Sequence, residues 1–310
     1  MNIQQLEYIV AVDRMRHFAK AAEACGVAQP TLSMMIQRLE DELGVEIFDR
    51  KHSPVAVNPI GIKIINQAKV ALYNIKQIRE IALSVRDVVE GEINIGVIPT
   101  LASYIIPKFF EQIKGLLPNL RCSVYELRTS DVIEKLKKAE IELAILSTPI
   151  NEPDILELPL FYERFIAYIS PDYSKLYGNQ TISTKDLDPS QMWLLQEGHC
   201  FRSQMLNICH QNSEAMQIYE AGSIDTLIRI VDTNGGYTLI PELHIDLLTD
   251  TQKKNIRFFS GDDEPRREIS FVFRQDFVKE RLINEFVNAI KTMIPNQMMD
   301  SRLSKFRVKL

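Results

Sequence analysis

Along the first 58 residues, apolar positions recur at helical spacing in three short stretches. Leu6, Ile9 and Val10 share one face of a first helix, and Phe18, Ala21, Ala22 and Cys25 share one face of a second. Gly26 permits a tight turn and Val27 returns to the core. QPTLSMMIQRLEDELG then carries Leu32, Ile36, Leu39 and Leu43 as a buried stripe ending at Gly44. Pro30 suits the first turn of this helix, where its missing N–H costs nothing. This is the spacing of a helix-turn-helix. Next, IFDRKHSPVAVNPIG places two short apolar runs around a polar, proline-containing tip, which predicts a hairpin or wing.

From Asn58-Pro59, with Asn58 as the expected cap, apolar residues repeat every seven positions. One seam holds Ala68, Ile75, Ala82 and Val89, the other Ile64, Ala71, Ile78 and Val85. Little else in so small a unit could cover such a stripe, so dimerisation through this helix is the expectation, with packing on the chain's own second domain as the alternative. After Gly91 the texture becomes alternating strand and helix. EINIGVIP, a helix from Ser103 to Leu116, RCSVYEL, a helix from Ser130 to Ala139, and LAILS form a parallel α/β half. Beyond residue 160 come RFIAYIS, a helix near Cys200, another from Ile224 to Val231, YTLIP, EISFVFR and a final helix from Asp276 to Met293. The late strand and helix let the chain re-enter its first lobe and leave a cleft between two lobes.

These patterns predict a winged helix-turn-helix over 1–58, a linker helix over 59–90 and a two-lobed α/β domain over 91–310. Lobe I is expected at about 91–162 and 266–310, lobe II at about 163–265. The chain's 310 residues suit such a division, and 45% apolar with 25% charged residues excludes a collagen-like or largely disordered protein. There is no basic leader and no apolar run of membrane-spanning length, so a cytoplasmic protein with no membrane contact is expected. Cys25, Cys122, Cys200 and Cys209 lack the short paired spacings of a zinc site, and no cofactor is expected.

A net charge of -5 argues weakly against nucleic acid, and residues 1–90 are themselves neutral, with 11 Lys+Arg and 11 Asp+Glu. Charge placement changes the picture. Between Ala24 and Leu39 the only charged residue is Arg38, while Gln29, Thr31, Ser33 and Gln37 offer hydrogen-bonding groups, and Arg50, Lys51 and His52 make the wing basic. A groove-reading face needs that combination. A purely structural helical hairpin is the alternative.

FAKAAEACGVAQPTLSMMIQRLEDELGVEIFDR, followed by NPIG and the long helix, resembles the N-terminal signature of LysR-type transcriptional regulators. The resemblance extends over the whole chain. It implies a winged helix-turn-helix, a dimerising linker helix and a two-lobed effector domain similar to periplasmic binding proteins. By position it implies that Gln29, Pro30, Thr31, Ser33, Met34, Gln37 and Arg38 approach the major groove, and Arg50, Lys51, His52 and Ser53 the backbone or minor groove. The implied partners are double-stranded DNA, further copies of the chain as a homodimer or homotetramer, and RNA polymerase.

Cys200 and Cys209 lie in LLQEGHCFRSQMLNICHQ. If residues 201–210 are helical, nine positions separate the sulfurs by about 13 Å and point them to opposite faces. Joining them would unwind the helix and relocate Phe201, Met205, Leu206 and Ile208, so oxidation would act as a conformational switch. Cys200 follows Gly198-His199 near a helix N-terminus, two residues before Arg202, a setting that favours thiolate. Cys25 and Cys122 read as small core residues.

GHCFR with a second cysteine nine residues on resembles the peroxide-sensing branch of the same family. IPT at 98–100, Thr129, EPRR at 264–267 and the basic tail SRLSKFRVKL resemble it too. That resemblance implies that hydrogen peroxide oxidises Cys200 to a sulfenic acid and that Cys209 resolves it as a reversible disulfide. Thr100, Thr129, His199, Arg202 and Arg267 are the expected peroxide pocket, supplying hydroxyls, donors or positive charge. The protein is then a sensor and not an enzyme. Two rivals are a regulator that takes a small metabolite in the interlobe cleft and a thiol peroxidase.

Overall fold

The computed structural model describes residues 1–84, 89–208, 217–221, 223–260 and 264–305. The chain divides into two compact units, Met1–Asp87 with Lys135–Glu140, and Val88–Glu134 with Ile141–Leu310.

The first unit opens with helices α1 (Ile3–Met15), α2 (Phe18–Ala24) and α3 (Gln29–Leu43), then strands β1 (Phe48–Asp49) and β2 (Ala56–Val57), antiparallel, and helix α4 (Pro59–Ser84). Asn2 caps α1 by accepting from the Gln5 N–H, and the Gln5 side chain accepts from the Asn2 N–H, both at 2.9 Å. The Gln5 amide also donates to the Met35 carbonyl at 3.1 Å, tying α1 to α3. Leu32, Ile36 and Leu39 are fully buried as the stripe requires. Leu43 departs from it at 40% exposed, and the buried position in that turn goes to Glu40. The Asn58 Nδ2 donates to the Glu46 carbonyl at 3.0 Å. Gly61 is where α4 meets the chain most closely, since a Cβ there would stand 2.2 Å from the Ile47 carbonyl oxygen. The heptad stripe is not left wholly uncovered within this unit. Ile65 and Ala68 complete the core formed by α1, α2 and α3, while Ile78 and Ile81 farther along α4 are 66% and 54% exposed. Val85 of the second seam lies outside the described residues.

Beyond α4 the chain forms β3 (Gly91–Val97), α5 (Pro99–Leu116), β4 (Leu120–Glu126), α6 (Thr129–Lys137), β5 (Leu143–Thr148) and β6 (Ile155–Ile169). There follow α7 (Ser174–Tyr177), β7 (Thr181–Ile182), β8 (Trp193–Leu195), α8 (Cys200–Ile208) and β9 (Gln217–Ala221). The chain ends with α9 (Ile224–Asn234), β10 (Tyr237–Pro241), β11 (Ile256–Phe259), β12 (Arg266–Arg274), α10 (Glu280–Met293) and α11 (Ser301–Lys305). The main sheet runs β4-β3-β5-β12-β6-β11-β7, with β10 also on β6, and β8 and β9 form a separate parallel pair. Parallel pairing of β3 with β4 and β5 matches the expected α/β half.

Strand β6 is longer than the apolar run RFIAYIS suggests. Ile155–Arg164 pairs antiparallel with β12, and Phe165–Ile169 pairs with β10, so one strand serves both lobes of the α/β fold. Returning β12 inserts between β5 and β6, which is how the chain re-enters its first lobe. That lobe is filled from α5, α10 and β12, with Phe109 and Phe286 rings 5.1 Å apart, edge to face. The second lobe buries Tyr168, Phe201, Met205, Leu227 and Tyr237. Two helix starts differ from expectation. Helix α5 begins at Pro99, not Ser103, because extended Ile98 leaves the proline in the first turn, where no N–H is needed. Helix α10 begins at Glu280, not Asp276, whose carboxylate is held by the Arg274 guanidinium. Among the described residues no helix is long and apolar enough to cross a membrane.

Candidate functional site

Cys200 is the first residue of α8, half-buried, with a free thiol. The approach is fixed by Gly198, whose φ of +89° suits glycine, and a Cβ there would meet the Arg128 Cδ at 3.2 Å. Arg128 in turn donates to the Gln196 carbonyl oxygen of the side chain at 2.6 Å. His199 is buried. Burial, and then the neighbouring Arg128 charge, hold its imidazole below the usual histidine range. That favours the neutral ring, which can donate one N–H.

Arg202 is also buried, but its Nη1 donates to the Leu195 carbonyl at 2.9 Å, bracing the end of β8. A buried cation, Arg267, stands against the next residue of α8. Its guanidinium lies over the Phe201 ring, 4.9 Å from the centroid, and Phe201 stacks on Phe165 at 5.0 Å. Nη1 of Arg267 donates to Thr100 Oγ1 at 3.0 Å and Nη2 to the Thr100 carbonyl at 3.2 Å, so β12, the first turn of α5 and the start of α8 converge. Thr129 begins α6, and its buried Oγ1 has no hydrogen-bond partner among the described residues. It stands ready as a donor or acceptor for a small polar ligand. A second tie holds α8 to the first lobe: Gln204 donates to Ser147 Oγ at 2.8 Å, and Ser147 to the Glu268 carbonyl at 3.0 Å.

Sequence reasoning missed the groups that hold Arg267. Glu163 Oε2 accepts from its Nε and Nη2 at 3.0 and 2.9 Å, and the Tyr104 hydroxyl accepts from Nη2 at 2.9 Å. A glutamate between the aromatic pair Phe161-Tyr162 and the apolar run beginning RFIAYIS was the available signal, because a buried carboxylate there demands a cation. Burial pushes the Cys122 thiol up to about 11 and is the largest of the influences raising Cys25. Cys209 lies outside the described residues, so its separation from Cys200 is not among the distances that define this site.

On α3 the side chains of Gln29, Pro30, Thr31, Met34, Gln37 and Arg38 are exposed, and Ser33 is half-buried. Two internal bonds order this face, Gln29 Nε2 to Ser33 Oγ and Gln37 Nε2 to Asp41 Oδ1, each 3.0 Å. The wing tip carries Lys51, His52 and Ser53, all exposed, and the His52 ring meets Asp49 at 3.0 Å. Arg50 also has partners within the unit. Its Nη2 donates to the buried Glu40 carboxylate at 2.6 Å and its guanidinium covers the Phe18 ring at 5.2 Å. Sequence reading missed Glu40, which also accepts the Ile47 and Phe48 N–H groups at 2.8 and 3.2 Å.

Residues 3–62 match the family model of the bacterial regulatory helix-turn-helix protein, lysR family, and residues 86–294 match the LysR substrate binding domain. A hydrogen peroxide-inducible genes activator of Haemophilus influenzae is 33% identical over 88% of this chain and 91% of its own. The DNA-binding transcriptional dual regulator OxyR of Escherichia coli is 31% identical over 88% and 90%. Among solved structures, a cysteine-to-aspartate variant of full-length OxyR from Pseudomonas aeruginosa superimposes with a TM-score of 0.83 at 30% identity, covering 97% of this chain and 98% of that one. A cysteine-to-serine variant of Corynebacterium glutamicum OxyR with hydrogen peroxide bound gives 0.62 at 26% identity, covering 94% and 92%. The chain belongs to the LysR family of bacterial helix-turn-helix regulators, in the branch of the hydrogen peroxide-inducible genes activators.

Proposed function

We propose that the protein is a DNA-binding transcription regulator switched by hydrogen peroxide through Cys200. The observation that carries this reading is the free Cys200 thiol at the head of α8, next in sequence to Phe201, over whose ring lies a buried Arg267 guanidinium that also holds Thr100. The Cys200 thiolate attacks one peroxide oxygen. An S–O bond forms, the O–O bond breaks, and the departing hydroxide takes up a proton to leave as water, so sulfur is oxidised by two electrons to a sulfenic acid. Thr129 Oγ1 and the His199 N–H orient the peroxide, while Arg267 and the N-terminal amides of α8 stabilise negative charge. Cys209 then attacks the sulfenic sulfur as a thiolate. The S–S bond forms, the S–O bond breaks, and the departing hydroxide takes up a proton to leave as water.

The disulfide is the proposed switch because α8 is tied to the first lobe through Gln204 and Arg267, and unwinding it disturbs both ties. The exposed outer face of α3 reads base edges, and Lys51, His52 and Ser53 meet the backbone. Exposed Ile78 and Ile81 support pairing of α4 with a second copy, as a homodimer or a tetramer built from it. RNA polymerase is the partner that a DNA-bound activator would engage, and the cytoplasm is the setting for both. The test is peptide mapping of the reduced full-length protein before and after one equivalent of peroxide. A new Cys200–Cys209 linkage is expected; unchanged thiols would favour a metabolite-responsive regulator.

A further inference from the structure

The inference rests on the reading of Cys200 as the peroxide-reactive thiol and concerns what sets that reactivity. Arg267 is 2% exposed, and its guanidinium is bound on every nitrogen. Nε and Nη2 share Oε2 of Glu163, Nη2 also reaches the Tyr104 hydroxyl, and Nη1 reaches Thr100 Oγ1. Glu163 is fully buried. Its Oε2 also accepts from the Tyr104 hydroxyl at 2.9 Å, and Oε1 accepts the Leu243 N–H at 3.0 Å. Backbone register reinforces the pair, since Arg267 on β12 stands directly opposite Glu163 on β6, at the segment where β6 passes from one lobe to the other.

We propose that Glu163 and Tyr104 are positioning residues for the Cys200 thiol, fixing the Arg267 guanidinium against Phe201 and tempering the positive field it exerts on the sulfur. A lone buried guanidinium would stabilise the thiolate more strongly, but its desolvation makes it untenable without a counter-charge. With Glu163 alongside, the net charge of the cluster is near zero, and the thiol feels a dipole whose orientation is set by the hydrogen bonds. Tyr104 adds orientation without charge: its phenol is held protonated, well above the usual tyrosine range, by burial and by Glu163.

The other charged and titratable groups around this cluster are accounted for. His199 is neutral, Arg128 faces His199 and Gln196, and Arg202 is directed at Leu195. His244, edge-on to Tyr104, is held below the usual histidine range chiefly by burial, and Asp225, 3.4 Å from its Nε2, is mostly exposed. The Arg267 charge is also among the influences that lower His244.

The experiment follows iodoacetamide alkylation of Cys200 against pH in the reduced full-length protein, read by peptide mapping that separates it from the other three cysteines, with folding checked by circular dichroism. Glu163→Gln should move the midpoint to lower pH by about half a unit or more, because a counter-charge has gone. Glu163→Asp keeps the charge and should keep the wild-type midpoint. Tyr104→Phe should leave the midpoint in place and slow oxidation by peroxide about fivefold, the effect of one lost hydrogen bond on orientation. A folded Glu163→Gln protein with a midpoint equal to or above wild type overturns the proposal, as does an Asp variant that titrates like Gln. Should Glu163→Gln fail to fold, Tyr104→Phe decides, and a wild-type peroxide rate overturns it. Wild-type Cys200 that is alkylated but inert to peroxide would sink the peroxide reading alone, leaving the midpoint comparison intact.

Discussion

The Arg50 guanidinium donates to the Glu40 carboxylate at 2.6 Å, joining the wing to the recognition helix across ten residues of sequence. Glu40 is 5% exposed and already accepts two N–H groups at the start of the wing. Arg50 therefore completes a buried carboxylate that would otherwise keep an unsatisfied charge. Arg50→Ala is expected to cost about 1–2 kcal/mol in the N-terminal unit, seen as a lower urea midpoint, discounted from the usual range because the guanidinium is partly exposed.

The two wing cations should separate in DNA titrations. Lys51→Ala is expected to reduce the slope of log K against log salt by about one, the signature of one lost phosphate contact. Arg50→Ala, measured where the variant is folded, should leave that slope nearly unchanged. Equal slope losses for both would show that Arg50 leaves Glu40 to bind phosphate.

Arg267 and Glu163 form a fully buried ion pair, and removing one partner strands the other. Arg267→Ala is expected to destabilise the protein by about 3–5 kcal/mol, whereas the apolar double replacement Arg267→Met with Glu163→Leu should recover much of that loss. Unfolding by urea measures both. A double variant less stable than Arg267→Ala would show that the pair contributes net stability beyond mutual neutralisation.

Much of this was legible along the chain. The stripe Leu32, Ile36 and Leu39 locates the recognition helix because helical period and burial coincide there. The outer face of α3 was readable for the same reason, being what the stripe leaves over. Long-range partners were not readable. Arg50 looked like free wing charge because nothing local announces that Glu40 is buried, and Arg267 paired with Glu163 only once β12 inserted beside β6, 104 residues away in sequence. The length of β6 was hidden too, since Pro159 and the charged Glu157, Glu163 and Arg164 interrupt its apolar run. Glu163 and Arg164 stand in a strand that serves two lobes because their partners Arg267, Glu242 and Glu264 come from distant elements.

Stability should depend on pH through two buried histidines. His199 and His244 are both held below the usual range, with burial as the first cause. In the unfolded chain each takes up a proton near pH 6.5, while the folded form does not, so stability is complete above about 6.5 and falls as pH drops toward the folded values. The loss is at most about 1.4 kcal/mol per pH unit for each histidine. Urea midpoints at pH 7.5 and 5.5 measure it, and replacing His244 with Asn should flatten the dependence. A midpoint that rises on acidification would contradict the assignment.

The order of events at the two cysteines tests the account most directly. A sulfenic-acid reagent is added with peroxide to Cys209→Ser and to Cys200→Ser, and labelled peptides are mapped. Cys200 heads α8, and the account expects rapid labelling of Cys200 in the Cys209→Ser protein, with little at Cys209 in the Cys200→Ser protein. Labelling of Cys209 at a rate matching that of Cys200 would contradict it.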